Sequence, residues 1–354
     1  PPVTPPGNDA AASAPADGQA SAERQVATLA EAFLTPMTPD DNIDSPAAWT
    51  APDGKTWLIA TAKATDKLVV YDGSTGASLR EVGSHGTALG QFDRPNGISV
   101  TDDLLWIVER DNHRVQVFSL PDFTPLAVFG ADDLRKPYGL WVDKRADGYA
   151  VYVTDSWDNG EDAQGNDILP PLAELDKRVR QYHVRRDGTD VTATLAASIG
   201  DTSQAGALRV VESIWGDPAN DRLLVAEEDE TYASEFKVYT LAGRFTGTTF
   251  GRDVFKAQAE GVMLRTCGKD GWWITTEQGK ERSVFHLFDR HSLKPVGSFQ
   301  GNKVANTDGI WMMQQGSPRF PHGALYAVHD DQGVVAFDWE QIAKALALPL
   351  ECAS

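Results

Sequence analysis

Short apolar segments with alternating polar positions recur along the chain at nearly regular spacing. Six of them cover residues 57–61, 105–109, 151–155, 223–227, 272–276 and 325–329, so successive segments start 48, 46, 72, 49 and 53 residues apart. A polar turn and a second apolar segment follow each one. The second segments end in the aromatic residues Tyr71, Phe118, Tyr182, Tyr239, Phe288 and Phe337. This order of strand, polar turn and strand predicts six β-hairpins.

A further apolar segment precedes each hairpin, and it opens with a variable residue that is followed in most copies by a glycine or serine. The six variable residues, here called the ring positions, are Ser45, Asn96, Tyr138, Glu212, Glu260 and Asp308. Repeats of about 50 residues that are rich in Trp, Tyr and Val are typical of propeller blades with four strands each. We therefore predict an all-β protein with a six-bladed β-propeller. The extra segment is expected to be the innermost strand, where small residues allow the strands to approach closely.

The regular pattern has two irregular parts. Residues 1–38 are predicted to be a disordered linker, because residues 1–22 are almost entirely Pro, Ala, Gly, Ser and Asp, although residues 23–34 have the composition of a short helix. Residues 39–354 are assigned to the propeller, with either the N-terminal or the C-terminal strand closing its ring. The gap of 72 residues indicates an inserted loop at 157–177 on the third blade, with Trp157 as a candidate ligand contact. The other tryptophans are expected in the blade core.

Charge and composition restrict the function. The chain has 32 Lys and Arg against 51 Asp and Glu, a formal net charge of −19, which disfavours nucleic acids and anionic membranes as partners. No apolar stretch is long enough to span a membrane. A tether at the start of the chain suggests an exported protein, whether periplasmic, secreted or surface-anchored, and we expect a monomer that acts on a small molecule. Cys267 and Cys352 form either one disulfide or two free thiols.

Carboxylates are concentrated at the ring positions. Glu212, Glu260 and Asp308 occupy three consecutive ones, and Asp44 precedes the first. Because clustered carboxylates repel one another unless a cation or protons relieve them, and because oxygen-only donors suit hard cations, the pattern favours a calcium site. The alternative is that they are ordinary loop acids of a very acidic protein. A second acidic run at 226–230 cannot face one ion as a whole, since side chains alternate along a strand.

These residues resemble those of the calcium-dependent β-propeller phytases over nearly the whole chain, from about Asp44 to Ala347. The segments that carry the resemblance are Asp44-Ser-Pro-Ala-Ala-Trp49, Tyr138-Gly139, the 226–230 run, Glu260-Gly261, Thr307-Asp-Gly-Ile310 and Trp339-Glu-Gln-Ile-Ala343. The resemblance implies a phosphomonoester hydrolase that acts on phytate or another phosphoester. It implies Ca²⁺ ligands at Asp44, Glu212, Glu228, Glu260 and Asp308. It implies a catalytic group of Glu228, Glu212, Lys63 and Tyr138, in which Lys63 and Tyr138 steady the phosphate.

The chain departs from that family mainly at phosphate-binding positions. Ser45 stands where the family has a second Asp, and the segment 96–101 lacks the family's Asp and Arg. A family lysine falls at Asp155-Ser156, and Gln258 replaces an acid. The expected activity is therefore weaker or altered. The candidate replacements for the missing cations are Arg110, Arg135, Lys136 and Lys280.

Two other functions remain open. Blade two, from Gly86 to Phe118, also resembles an NHL repeat, which favours a non-catalytic binding propeller with structural calcium. A calcium-dependent lactonase or esterase would need an acid–base pair at the mouth. His113, His322 and His329 do not have the spacing of such a pair.

Overall fold

Six sheets, here called blades one to six, make up the protein in a computed structural model that describes residues 25–352; five of them have four antiparallel strands, and blade five has a fifth strand that joins its outer edge in parallel. In each blade the strands that follow one another along the chain form an antiparallel meander that starts with the innermost strand and runs outward. The strands of blades one to three are Ile43–Thr50, Thr56–Ala62, Lys67–Asp72 and Ser78–Val82; Pro95–Thr101, Leu104–Glu109, Arg114–Ser119 and Thr124–Phe129; Pro137–Arg145, Gly148–Asp155, Val179–Asp187 and Asp190–Ile199. Those of blades four to six are Ile214–Asp217, Arg222–Glu227, Glu235–Tyr239 and Phe245–Phe250; Gln258–Cys267, Asp270–Gln278, Val284–Asp289 and Pro295–Gly301; Ile310–Met313, Ala324–His329 and Gly333–Asp338. The predicted six-bladed β-propeller is confirmed.

The inner strands contact one another in sequence around the ring and enclose a central channel. Glycines beside the ring positions permit this contact. A Cβ atom on Gly139 would lie 2.0 Å from the carbonyl oxygen of Glu212, and one on Gly97 would lie 2.5 Å from that of Tyr138. The expectation that small residues are required next to the axis is met at these positions.

The N-terminal part of the chain closes the ring. Phe33–Leu34 pairs antiparallel with Gly333–Asp338 and supplies the outermost strand of blade six, while Ala27–Leu29 pairs in parallel with Pro295–Gly301 of blade five. The short helix predicted within 23–34 is therefore wrong for the described residues, and the propeller begins before residue 39. The open edges of two blades offer backbone hydrogen bonds that outweigh the local helical preference. The predicted tether at 1–22 lies outside the described residues.

The core lies between the blades and is rich in aromatic side chains. The six aromatic residues that end the third strands are all almost completely buried, and so are Trp106, Trp273 and Trp339. Ring pairs such as Phe299 with Phe337, whose centroids are 5.3 Å apart, join neighbouring blades. This agrees with the prediction that most tryptophans belong to the core.

In five of the six blades, a side chain at or near the end of the second strand accepts hydrogen bonds from the backbone of the loop that leads into the first strand of the same blade. Asp155, for example, accepts backbone hydrogen bonds from Arg135 at 3.0 Å and Lys136 at 2.7 Å. The equivalent acceptors are Glu109, Glu227, Glu277 and the ring nitrogen of His329. Four buried carboxylates, those of Glu109, Asp155, Glu227 and Glu277, therefore have a structural role.

The remaining segments pack on this frame. The inserted loop carries the 3₁₀ helix Leu172–Lys177, a second 3₁₀ helix spans Pro218–Asn220, and the α-helix Trp339–Ala345 begins after Asp338, which caps it. Cys267 and Cys352 are joined in a disulfide, so the alternative of free thiols is excluded. Among residues 25–352, no helix has the length and apolar character needed to cross a membrane.

Candidate metal centre at the channel mouth

The ring positions meet at one end of the central channel, here called the mouth. Ser45, Tyr138, Glu212, Glu260 and Asp308 line a cavity of about 70 Å³ there, together with Asp44. The remaining ring position is Asn96, whose side chain is buried and does not line the cavity, although the neighbouring Gly97 does. Five of the six equivalent residues of the repeat thus line one cavity.

Three glutamates form the centre of this site. Glu212, Glu228 and Glu260 each place a carboxylate oxygen so that the three atoms lie within 4.8 Å of one another. Glu228 and Glu260 are only 3% exposed. Oε1 of Glu228 accepts a hydrogen bond from Ser213 at 3.3 Å. Its buried Oε2 has no partner of good hydrogen-bond geometry among the described residues, and the nearest groups to this carboxylate are the carboxyl of Glu260 and the backbone N–H of Glu212. A buried carboxylate oxygen without a donor is unfavourable, which makes this atom available to a cation.

The cluster has unusual acid–base properties in the absence of a cation. Burial, with Asp44 nearby, raises the pKa of Glu212 to about 7. Burial and the neighbouring carboxylates also raise the pKa values of Glu228 and Glu260 well above the ordinary range. Burial, and to a smaller extent the neighbouring carboxylates, also raises the pKa of Asp308 well above its ordinary value. The site therefore favours protons or a bound cation over free negative charge.

Two further predicted ligands lie in the same cavity but already have partners. Asp44 forms an ion pair with Lys63 at 2.9 Å and accepts a hydrogen bond from the Ser45 hydroxyl at 2.8 Å. Asp308 accepts a 2.6 Å hydrogen bond from Gln278. The attraction of Asp44 is the main reason that the pKa of Lys63 is raised, so this lysine remains charged. Asp44 and Asp308 are thus less free to bind a cation than the three glutamates.

The side chains of the acidic run at 226–230 point in different directions, as expected from their alternation along a strand. Glu227 points away from the mouth toward the buried Nζ of Lys237, 3.4 Å away, and accepts backbone hydrogen bonds from Arg209 and Val210. Glu228 points into the mouth, and Glu230 is exposed. Only Glu228 of this run belongs to the metal centre.

Cations gather on the opposite side of the mouth. The guanidinium of Arg110 donates a hydrogen bond to the hydroxyl of Tyr138 at 3.4 Å. Arg110, Arg135 and Lys136 line one cleft of about 330 Å³ with Trp157, while exposed Lys280 does not line it. Arg135 lies over the Trp157 ring at 4.1 Å from its centroid. Three of the four proposed replacement cations are therefore neighbours.

Sequence reasoning missed Arg94, which lies two residues before a ring position. Its positive charge acts on Glu212 and opposes the rise of that residue's pKa, although burial has the larger effect. Sequence reasoning also missed the group of Asp66, His85 and Asp93, whose ligand atoms lie within 4.8 Å of one another. Asp66 lies in a hairpin turn of blade one, His85 and Asp93 lie on the loop that leads to blade two, and His85 is largely exposed. Neither Arg94 nor this cluster could be recognised from the sequence, because their neighbours come from loops of two different blades.

Comparisons with known proteins find one repeat family in blade two and solved structures of low sequence identity. The NHL repeat model matches residues 92–118, which confirms the NHL-like character of blade two. No curated protein matches the chain. A streptogramin B lyase structure covers 86% of this chain and 97% of its own at 13% identity, with a TM-score of 0.48. A chain of a nidogen–laminin complex covers 78% of this chain and 88% of its own at 12% identity, with a TM-score of 0.49. Virginiamycin B lyase from Staphylococcus aureus covers 86% and 97% at 12% identity, with a TM-score of 0.47.

Proposed function

We propose that this protein is a calcium-dependent hydrolase of small phosphomonoesters, with its site at the mouth of the propeller channel. The observation that carries the proposal is the convergence of Glu212, Glu228 and Glu260, of which Glu228 has a buried oxygen without a partner of good hydrogen-bond geometry in the described chain. All three donors are carboxylate oxygens, which suit calcium rather than a softer metal.

The size of the cavity determines what enters it. A buried water needs about 10–15 Å³, so about 70 Å³ holds an ion with a few waters, whereas drug-sized ligands occupy about 300–1,000 Å³. The body of an organic substrate must then remain outside the channel. A group as small as a phosphate is of the size that can reach Glu212 and Glu260 in this cavity.

A cation also explains how so acidic a protein can bind an anion. The three glutamates would hold calcium, and its charge would reverse the local negative potential for the phosphate. When bound, calcium would supply Lewis-acid polarisation of a phosphoryl oxygen and a more acidic water. Lys63 of blade one and Tyr138 of blade three would orient the phosphate. The resemblance to the β-propeller phytases supports the same assignment.

A second candidate is a binding propeller without catalysis. Asp155, which stands where the family resemblance places a lysine, is buried and accepts two backbone hydrogen bonds, so it cannot bind phosphate. The NHL match in blade two is compatible with this function as well.

The test is phosphate release from phytate and from p-nitrophenyl phosphate, with calcium or with a chelator. We expect calcium-dependent release that Glu228→Gln reduces to background. The control is Glu230→Gln, which removes an exposed acid from the same run and should behave as the wild type. If neither substrate is cleaved while calcium raises the melting temperature, the hydrolase proposal fails and the binding propeller is favoured.

A further inference from the structure

We propose that Asp66, His85 and Asp93 bind a zinc ion at the surface between blades one and two. Each of the three side chains places one ligand atom within 4.8 Å of the other two, and Nδ1 of His85 lies 2.8 Å from Oδ2 of Asp66. Tetrahedral zinc, with bonds of about 2.0–2.2 Å, holds its ligand atoms about 3.3 Å apart. Small side-chain rotations therefore bring all three onto one ion. None of these residues lines the mouth cavity, so the proposal does not rest on the proposed function.

The donor set of this group favours zinc over calcium. It offers one imidazole nitrogen and two carboxylate oxygens, whereas the mouth offers carboxylates alone. Imidazole suits zinc, copper and nickel, while calcium takes oxygen ligands. The His85 side chain is 70% exposed, so water from solution can complete the coordination. The two cysteines of the chain are joined to each other and offer no thiolate that would compete for the metal.

The two carboxylates converge without a basic side chain to neutralise them. Oδ1 of Asp66 accepts the backbone N–H of Arg94 at 2.7 Å, which fixes this carboxylate and leaves Oδ2 beside His85. Ligating carboxylates are usually oriented by such an outer hydrogen bond. The carboxylate of Asp93 makes no hydrogen bond or ion pair within residues 25–352. A cation shared by Asp66 and Asp93 relieves their mutual repulsion.

The backbone holds His85 and Asp93 side by side. The N–H of Gly86 donates to the carbonyl of Phe92 at 3.0 Å, and the N–H of Phe92 donates to the carbonyl of Ser84 at 2.8 Å. Phe92 is fully buried, so this pairing fixes the loop on the core. Ligands that are already in place reduce the entropy lost on binding. A metal here would join the hairpin turn of blade one to the loop that leads into blade two.

The third ligand distinguishes this group from other exposed pairs of histidine and aspartate. His183 lies 3.4 Å from Asp147, and His291 lies 3.3 Å from Asp270. Neither pair has a third metal-ligating side chain within reach among the described residues. A lone exposed ion pair contributes little and needs no ligand to explain it. The pair of His291 and Asp270 therefore serves as the matched control.

Calorimetric titration of zinc chloride into the full chain, prepared without a histidine tag, tests the proposal. We expect one zinc ion to bind in a manner that depends on His85 and Asp93. His85→Ala and Asp93→Asn should each weaken it by at least about 10- to 100-fold, the range known for the loss of an outer-shell partner. Asp93→Asn removes no contact of the described structure, so it should fold as the wild type does. His291→Ala should keep the zinc affinity of the wild type.

Further measurements separate this site from the acidic mouth. Glu228→Gln should retain the zinc binding that depends on His85, and cobalt should give a visible absorption band that His85→Ala abolishes. Zinc should raise the melting temperature of the wild type by several degrees, but not that of His85→Ala. Equal zinc affinity in the wild type and both variants of the site, loss of zinc binding in Glu228→Gln, or a wild type that binds no zinc would each overturn the proposal.

Discussion

Glu227 and Glu228 are adjacent and equally buried, yet they have different roles. Glu227 is satisfied by Lys237 and by backbone N–H groups, so it stabilises blade four. Glu228 accepts one hydrogen bond of good geometry, from Ser213, and its other neighbours are the acids Glu212 and Glu260 instead of a cation, so its Oε2 can bind a ligand. At the scale of single residues, the number of satisfied hydrogen-bonding atoms distinguishes a structural acid from a functional one.

The raised pKa values predict a pH dependence for the protein in a chelator. Folded Glu212 has a pKa of about 7, and Glu228 and Glu260 lie well above their usual value, so the folded state binds protons more tightly than the unfolded state. The contribution of these groups to stability is then complete below about pH 4.3, the pKa of an unperturbed glutamate, and that of Glu212 is lost as pH rises through about 7. We expect the melting temperature in chelator to fall by a few degrees between pH 5 and pH 8.

Calcium should change this dependence, because it competes with protons for the same oxygens. The increase in the protein's melting temperature that calcium causes should therefore be larger at pH 8 than at pH 5. Thermal unfolding at several pH values, with and without calcium, measures both effects, and Glu212→Gln should flatten the curve in chelator. A melting temperature that rises with pH in chelator would contradict the prediction.

At the scale of strands, close contact between inner strands positions the site. Gly97, Gly139 and Gly261 each follow a ring position and lie against the backbone of the next blade. The anchoring acids at the ends of the second strands hold the loops that enter the inner strands. The carboxylates of the mouth are therefore placed by rigid elements rather than by free loops.

Gly139→Ala should disturb the site without altering any of its carboxylates. The added Cβ would lie 2.0 Å from the Glu212 carbonyl oxygen, so the backbone that carries Glu212 must move. We expect a loss of about 1–3 kcal/mol in the free energy of unfolding, as is usual for overpacking. Calcium affinity, measured by calorimetry, should fall as well.

A matched control for this substitution is Gly160→Asn. Gly160 has open space around the position of a Cβ atom, and asparagine tolerates its left-handed conformation. This variant should retain the calcium affinity of the wild type. Unchanged calcium affinity in Gly139→Ala would show that inner-strand contact does not position Glu212.

At the scale of the whole molecule, the N-terminal strands join the two ends of the chain. Phe33–Leu34 completes blade six, and Ala27–Leu29 covers the edge of blade five. Between them, Glu31 accepts backbone hydrogen bonds from Lys303 at 2.7 Å and Val304 at 3.0 Å. These contacts protect two sheet edges from pairing with other chains.

A variant that begins at Thr35 should lose this protection. We expect a melting temperature lower by several degrees and self-association through the open edges, which light scattering would detect. A variant that begins at Gln25 removes only residues outside the described structure and should match the full chain. Equal stability of the two truncated proteins would show that the strands do not close the ring.

Much of the fold could be predicted because its signals are local. The alternation of apolar and polar residues, the polar turns and the aromatic residues that end the third strands each depend on a few consecutive positions. Their repetition placed the residues that line the mouth, including Glu212, Glu260 and Asp308, at equivalent sites. The resemblance to a known family then added Glu228, whose position in the repeat is different.

The sequence by itself therefore determined the six blades, their core and the acidic mouth, since these follow from a period-two pattern repeated along the chain. Only the tertiary structure decided that Ala27–Leu29 and Phe33–Leu34 are strands, because their hydrogen-bond partners lie about 270–300 residues away. It also decided that Cys267 pairs with Cys352, that Glu227 faces Lys237, and that Glu228 lies against Glu212 and Glu260. Each of these depends on the distance between segments that no local pattern relates, and burial then determines which charges remain unpaired.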